Sequence, residues 1–143
     1  MFSECIRKVT WFSIPVYKIQ FESDSDNHAQ PWLAENFTLK LIPLRKVNEN
    51  HLKQSLALKL NQVSSSRIEE EINKFVALMP KKPLEMNTEI EFDCQGDNLT
   101  VKENQSTLGA VVKTPICKLL AKVYLDLAFQ GNPCPDLVKN LIK

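Results

Sequence analysis

The sequence is poor in glycine and histidine, and those shortages exclude several kinds of chemistry. Three glycines in 143 residues leave no phosphate-cradling loop, which needs several glycines for the backbone to approach a phosphate. No G-x-S-x-G and no H-E-x-x-H is present, so neither a nucleophile elbow nor a helical zinc motif can form. The two histidines, His28 and His51, stand far in sequence from the four cysteines, Cys5, Cys94, Cys117 and Cys134, and no cysteine pair has C-x-x-C spacing. A zinc site needs clustered ligands, so no metal and no cofactor is expected. Such scattered cysteines are expected to be free and to pack as small hydrophobes, with a Cys117–Cys134 bridge left open. No run of 18 apolar residues occurs, which leaves no transmembrane helix. The opening residues lack the apolar core of a signal peptide. As written the chain reads as cytoplasmic, or as periplasmic where a signal peptide has been removed. Eighteen basic against seventeen acidic residues give a net charge of +1, without the basic excess that nucleic acid demands.

What is present suits one ordinary globular domain over residues 1–143. The composition, 43% apolar and 24% charged, is typical of a folded chain. A domain of this length buries roughly 68% of the surface its unfolded chain exposes, enough for a core without disulfides or metal.

Periodicity then places the elements. Residues 4–12 are rich in β-compatible side chains, and from Ile14 to Glu22 the sequence alternates cleanly, with Tyr17, Ile19 and Phe21 on one face and Lys18, Gln20 and Glu22 on the other. That alternation predicts a strand wet on one side. Residues 23–27 read as a polar turn and 36–44 as a third strand. Leu52, Leu56, Leu60 and Val63 form a helical stripe over 50–63, capped by Asn48 or Asn50. Ser66 and Glu69 make a capping box for a second helix, which Pro80 ends. Residues 88–94 and 99–103 alternate around a Gln95–Asn98 turn and predict a hairpin, to which 107–112 can add a strand. Thr114-Pro115 opens a third helix with proline at its first position. Its apolar face carries Ile116, Leu119, Leu120, Val123 and Leu127, and Gly131 is its stop. A short helix over 135–142 closes the chain. Segregated runs of strands and helices predict an α+β fold, an antiparallel sheet with helices packed on one face.

Two residues stand out on this frame. Odd positions of the first strand read Cys5, Arg7, Val9 and Trp11, which sets a guanidinium on an otherwise apolar face. Arginine cannot shed its charge and needs an anionic or strongly polar partner when buried. That partner is an internal carboxylate, a bound carboxylate, or solvent if the strand is an edge. Tyr17 lies on the apolar face of the next strand, and a buried tyrosine seeks a partner for its hydroxyl. In a hairpin the two could grip one carboxylate, or be satisfied independently in the core. The acidic sets Glu69-Glu70-Glu71 and Glu89/Glu91/Asp93 read as the first turn of a helix and a solvent-facing strand face, not as catalytic pairs.

The stretch Ile6-Arg7-Lys8-Val9-Thr10-Trp11-Phe12-Ser13-Ile14-Pro15-Val16-Tyr17 resembles the start of the chalcone-isomerase-like domain. LKLIPLRKVNENHL, MNTEIEFDCQGDNLTVKENQSTLGAVV and PICKLLAKVYLDLAFQGNPCPDLVKNLI follow in order. They look like that domain's leucine-rich strand and helix, its late hairpin and its closing helices. The resemblance, to a short, bacterial-type, non-catalytic member, covers nearly the whole chain. It implies an open-faced β-sandwich with a pocket between sheet and helices. It also implies that Arg7 and Tyr17 contact the ligand, a fatty acid or other amphipathic carboxylate. The family's isomerases carry Tyr, Lys and Asn on the helical segment over the pocket. Here residues 36–80 hold no tyrosine, and Lys53, Lys59 and Asn61 give no clear match. No catalytic residue is therefore assigned. The resemblance points first to a non-enzymatic ligand-binding domain. The alternatives are an isomerase or lyase on a small phenolic or enone substrate, and a structural or protein-interaction domain with a closed core.

Overall fold

A computed structural model describes residues 1–9, 14–25 and 30–141. Six strands form one antiparallel sheet in chain order: β1 (Phe2–Val9), β2 (Ile14–Ser23), β3 (Asn36–Pro43), β4 (Ile90–Gln95), β5 (Asn98–Glu103) and β6 (Ser106–Val111). Four helices pack on one face of it: α1 (Glu49–Val63), α2 (Glu69–Val76), α3 (Ile116–Leu125) and α4 (Asp136–Lys139). This is the α+β antiparallel sheet with helices on one face that the segregated runs predict, and the open-faced sandwich that the resemblance implies.

Register explains the division between wet and dry faces. Cross-strand partners share a face, so Ser3 and Phe21, then Leu39, Phe92 and Val101, form one continuous inward row. Phe37, Cys94 and Leu99 form another. Phe21, Leu39, Phe92 and Val101 are fully buried against the stripe Leu52, Leu56 and Leu60 of α1 and the broad apolar face of α3. On the outer face Lys40, Glu91 and Lys102 are opposed in register. Glu91 sits between the two lysines at 3.8 and 3.6 Å. Glu91 is only 8% exposed, because long lysine side chains cover neighbouring surface while keeping their charge in water. The acidic set on this strand is thus a structural ion-pair ladder on the outer face.

Several local expectations shift. β1 begins at Phe2 rather than residue 4; residues 10–12 of the expected strand lie outside the described residues, as do 26–27 of the turn and 142 of the final helix. Asn48 does cap α1, its Oδ1 accepting from the Asn50 amide at 2.8 Å. The Ser66–Glu69 capping box is absent: α2 starts at Glu69, so that carboxylate lies at the first helical position and not the third. Ser66 instead pairs with Ser64, its amide donating to Ser64 Oγ at 3.3 Å. α2 ends at Val76, ahead of Pro80, and Pro115 stands as the N-cap of α3, not its first residue.

The end of α3 bears on the site. The helix stops at Leu125, six residues before Gly131, so Leu127 leaves the apolar face and is exposed. Asp126 turns the chain by accepting from the Ala128 amide at 2.9 Å. The Asn132 side-chain amide donates to the carbonyls of Tyr124 (3.2 Å) and Asp126 (3.3 Å), satisfying acceptors that a helix end leaves open.

The cysteines are paired, against the expectation that they are free. Cys5 joins Cys134 and Cys94 joins Cys117, with Cα separations of 6.5 and 5.8 Å. The bridge left open between Cys117 and Cys134 does not form. Cys5 and Cys134 are 129 residues apart in sequence, and only the docking of α4 on β1 brings them together. The Ser3 hydroxyl donates to the Leu137 carbonyl at 2.7 Å in the same contact.

Candidate functional site

β1 and β2 form an antiparallel pair in which Arg7 faces Tyr17 directly, one row along from Cys5 and Ile19. The register shifts between Arg7 and Lys8, a bulge-like irregularity of the kind that re-aims a side chain. Tyr17 in turn opposes Pro43 of β3. Arg7 and Tyr17 therefore lie side by side at one end of the inner sheet face, as the hairpin reading required.

The two side chains have unequal surroundings. Arg7 is half-buried and has no ion-pair partner among the described residues. Tyr17 is 7% exposed, and its hydroxyl is buried without a hydrogen-bond partner. Buried polar groups are nearly always hydrogen-bonded, and an orphaned hydroxyl asks for an explanation. Burial pushes the Tyr17 phenol up to about 12, while the positive charges of Arg7 and Arg45 pull the other way. At neutral pH it is a hydrogen-bond donor, not a base.

Two residues to which the sequence reading assigned no role share this space. Tyr124, 4% exposed on α3, is raised by burial, lowered by Arg7 and raised again by Tyr17, so all three act on one another. Lys59 of α1 is lowered by burial and by the like charge of Arg7. A signal for Tyr124 was present: it stands four residues after Leu120 on the apolar face of α3. Lys59 lies three residues after Leu56, beside the stripe of α1. Sheet and helices thus bring two cations and two protonated phenols to one end of the interlayer space. No cluster of three metal-ligating side chains occurs among the described residues.

A spectroscopic titration checks these surroundings. The chain has only two tyrosines, so phenolate absorbance near 295 nm reports Tyr17 and Tyr124 alone. The folded protein should show almost no phenolate at pH 10.5, where an ordinary tyrosine of pKa about 10 is mostly ionised. Arg7→Ala should move the onset higher still, since it removes a charge that favours phenolate. Because the folded pKa is raised, this contribution to stability is complete below about pH 10 and is lost as pH rises towards 12. Normal titration of both phenols in the folded chain would contradict the buried placement.

The fold defines a class, an open antiparallel sheet with helices on one face. Among solved structures it is shared by a fatty-acid binding protein of Arabidopsis thaliana (AtFAP1), with a TM-score of 0.71 and 17% identity over 98% of this chain and 86% of that one. No family model and no curated protein sequence matches the chain. At that identity the likeness is one of architecture.

Proposed function

We propose that the chain is a binding module for an amphipathic carboxylate of the fatty-acid type, related to the chalcone-isomerase-like proteins and held at its polar end by Arg7 and Tyr17. The observation that carries the reading is the buried, unpartnered Tyr17 hydroxyl in register with a half-buried guanidinium that has no ion-pair partner among the described residues. One carboxylate satisfies both: it neutralises Arg7 through charge-assisted hydrogen bonds and accepts from the Tyr17 hydroxyl. Tyr124 supplies a second phenol from the helical layer, and Lys59 adds positive charge. The fatty-acid binding named for the Arabidopsis protein of the same fold supports this ligand class. The raised Tyr17 pKa favours holding a ligand over the isomerase or lyase reading, since a general base must ionise near the working pH. The two disulfides favour an oxidising compartment, the periplasmic side of the localisation expected from sequence.

The test compares saturated fatty acids of 12 to 18 carbons with the corresponding alcohols on the purified chain, after denaturing extraction and mass spectrometry for co-purified lipid. A hydrogen bond to a charged group is worth about 1.5–3 kcal/mol. Arg7→Ala should therefore weaken the acids by roughly 10- to 100-fold and leave the alcohols unchanged. Tyr17→Phe removes one hydrogen bond to the same charged group and should cost about tenfold. Equal binding of acids and alcohols, or full affinity in Arg7→Ala, would overturn the reading. Turnover of a chalcone that is lost in Tyr17→Phe would replace it with the isomerase.

A further inference from the structure

A concave site lies at the end of the sheet opposite Arg7 and Tyr17. Phe37 and Pro43 stand six residues apart on β3, about 20 Å at the rise of a strand. Arg7 and Tyr17 are at the Pro43 end. At the Phe37 end a groove of about 410 Å³ opens between the 3-10 turn Pro31–Leu33, the β4–β5 turn and the side of α3 that carries Cys117, Lys118 and Lys122. That is within the roughly 300–1,000 Å³ of small-molecule sites. Its walls include Trp32, Leu33 and Phe37. Leu33 is 58% exposed and extends the apolar wall.

The rim carries charge, and it is not all committed. Lys118 and Lys122 stand one helical turn apart on α3 and both border the groove. Lys118 pairs with Asp97 at 3.8 Å. Lys122 is exposed and has no ion-pair partner among the described residues. Glu35 borders the groove too and is exposed, so the rim carries both signs; its carbonyl accepts the Gly96 amide at 2.9 Å, which also donates to Asn36 Oδ1 at 3.1 Å.

Those bonds matter because they hold the walls in place before any ligand arrives. The Gly96 amide ties the β4–β5 turn to the segment after Leu33. Cys94–Cys117 ties α3 to β4, and Lys118–Asp97 closes the same seam. Gly96 has positive φ, and no atom comes within 4 Å of where a Cβ would stand, so the turn is tight while the space above it stays open. A preformed groove loses less entropy on binding than one that must be assembled.

We propose that this groove is a second binding site, for a small planar aromatic anion of two or three rings. The apolar ring system lies against Trp32, whose indole face suits a flat apolar partner, and against the exposed Leu33, and its acidic group meets Lys122. The inference does not depend on the Arg7 site. The probe is 1-anilinonaphthalene-8-sulfonate with the oxidised full chain, in a Trp11→Phe background so that Trp32 is the sole indole. Expected are one saturable site, quenched Trp32 emission, and binding at least about tenfold weaker in Lys122→Glu, since reversing a charge near the ligand changes its energy by more than 1.4 kcal/mol. Lys122 is on the surface, so this variant keeps the fold. Ala34→Phe, which fills the groove and leaves Trp32 the sole indole, should abolish binding, and the neutral N-phenyl-1-naphthylamine should bind at least tenfold more weakly. Arg7→Ala should leave all of this unchanged. Unaltered affinity in Lys122→Glu and Ala34→Phe, equal binding of the neutral probe, or loss of the signal in Arg7→Ala would each overturn the proposal.

Discussion

Reduction should leave the protein close to the edge of unfolding. Intact mass under non-reducing conditions should be four hydrogens below that of the free thiols, and dithiothreitol should then lower the thermal midpoint by tens of degrees. The size follows from the chain lengths the bridges close. Cys5–Cys134 spans 129 residues and Cys94–Cys117 spans 23. On the loop-entropy account these restrict the unfolded chain by about 5 and about 3 kcal/mol. A domain has about 5–15 kcal/mol of net stability, so losing both removes most of it. The single variants should differ. Cys5→Ser with Cys134→Ser opens the longer loop and frees α4 from β1, and it should cost more than Cys94→Ser with Cys117→Ser. It also loosens the strand that carries Arg7 two residues along, so it should weaken fatty-acid binding as well. The inner bridge borders the Trp32 groove, and its loss should affect the aromatic probe first. Four titratable thiols in the native purified protein would contradict the pairing.

Those bridges show where sequence reasoning stopped. Strand alternation along β2, β4 and β5 was legible because each strand has one wet face, and the order of elements followed from it. The helical stripes of α1 and α3 were legible for the same reason. Cysteine pairing was not, because a bridge depends on which chain ends meet across the layers. Cys5 and Cys134 meet only once α4 has docked on β1. Helix ends were misplaced where a local rule met a stronger tertiary contact: Gly131 looked like a stop, but Asn132 closes α3 six residues earlier by reaching back to its carbonyls. The same holds at the site. Arg7 was visible as a charge on an apolar face, and Tyr17 as a phenol on the neighbouring strand. Their opposition in register needed the hairpin. Tyr124 needed the helical layer, since nothing in its local sequence says that α3 lies above that end of the sheet. The groove at Trp32 left no linear trace, as its walls come from three separated segments.

Phe92→Ala should be the most damaging single core substitution among those that leave the site residues untouched. Phe92 is fully buried in the centre of the sheet, with Leu39 on one side and Val101 on the other. Its ring meets Phe75 of α2 edge-on, with centroids 5.3 Å apart and planes at 65°, a geometry that adds about 0.5–1.5 kcal/mol beyond area burial. Truncation removes the ring and leaves a cavity flanked by paired strands that cannot collapse into it, for a total of about 3–5 kcal/mol. The unfolding free energy should fall by that amount, read as a lower denaturant midpoint with the slope unchanged. Leu108→Ala on the edge strand β6, where the side chain is partly exposed, should cost under about 0.5 kcal/mol. Phe92 lies one inward row beyond the Ile19–Leu41–Ile90 row and two beyond Arg7–Tyr17–Pro43, so at a pH where the variant is folded its tyrosine titration and fatty-acid affinity should match the parent chain. A change in either would mean that packing under α2 reaches the Arg7 end of the sheet and that the site is less independent of the central core than its register position implies.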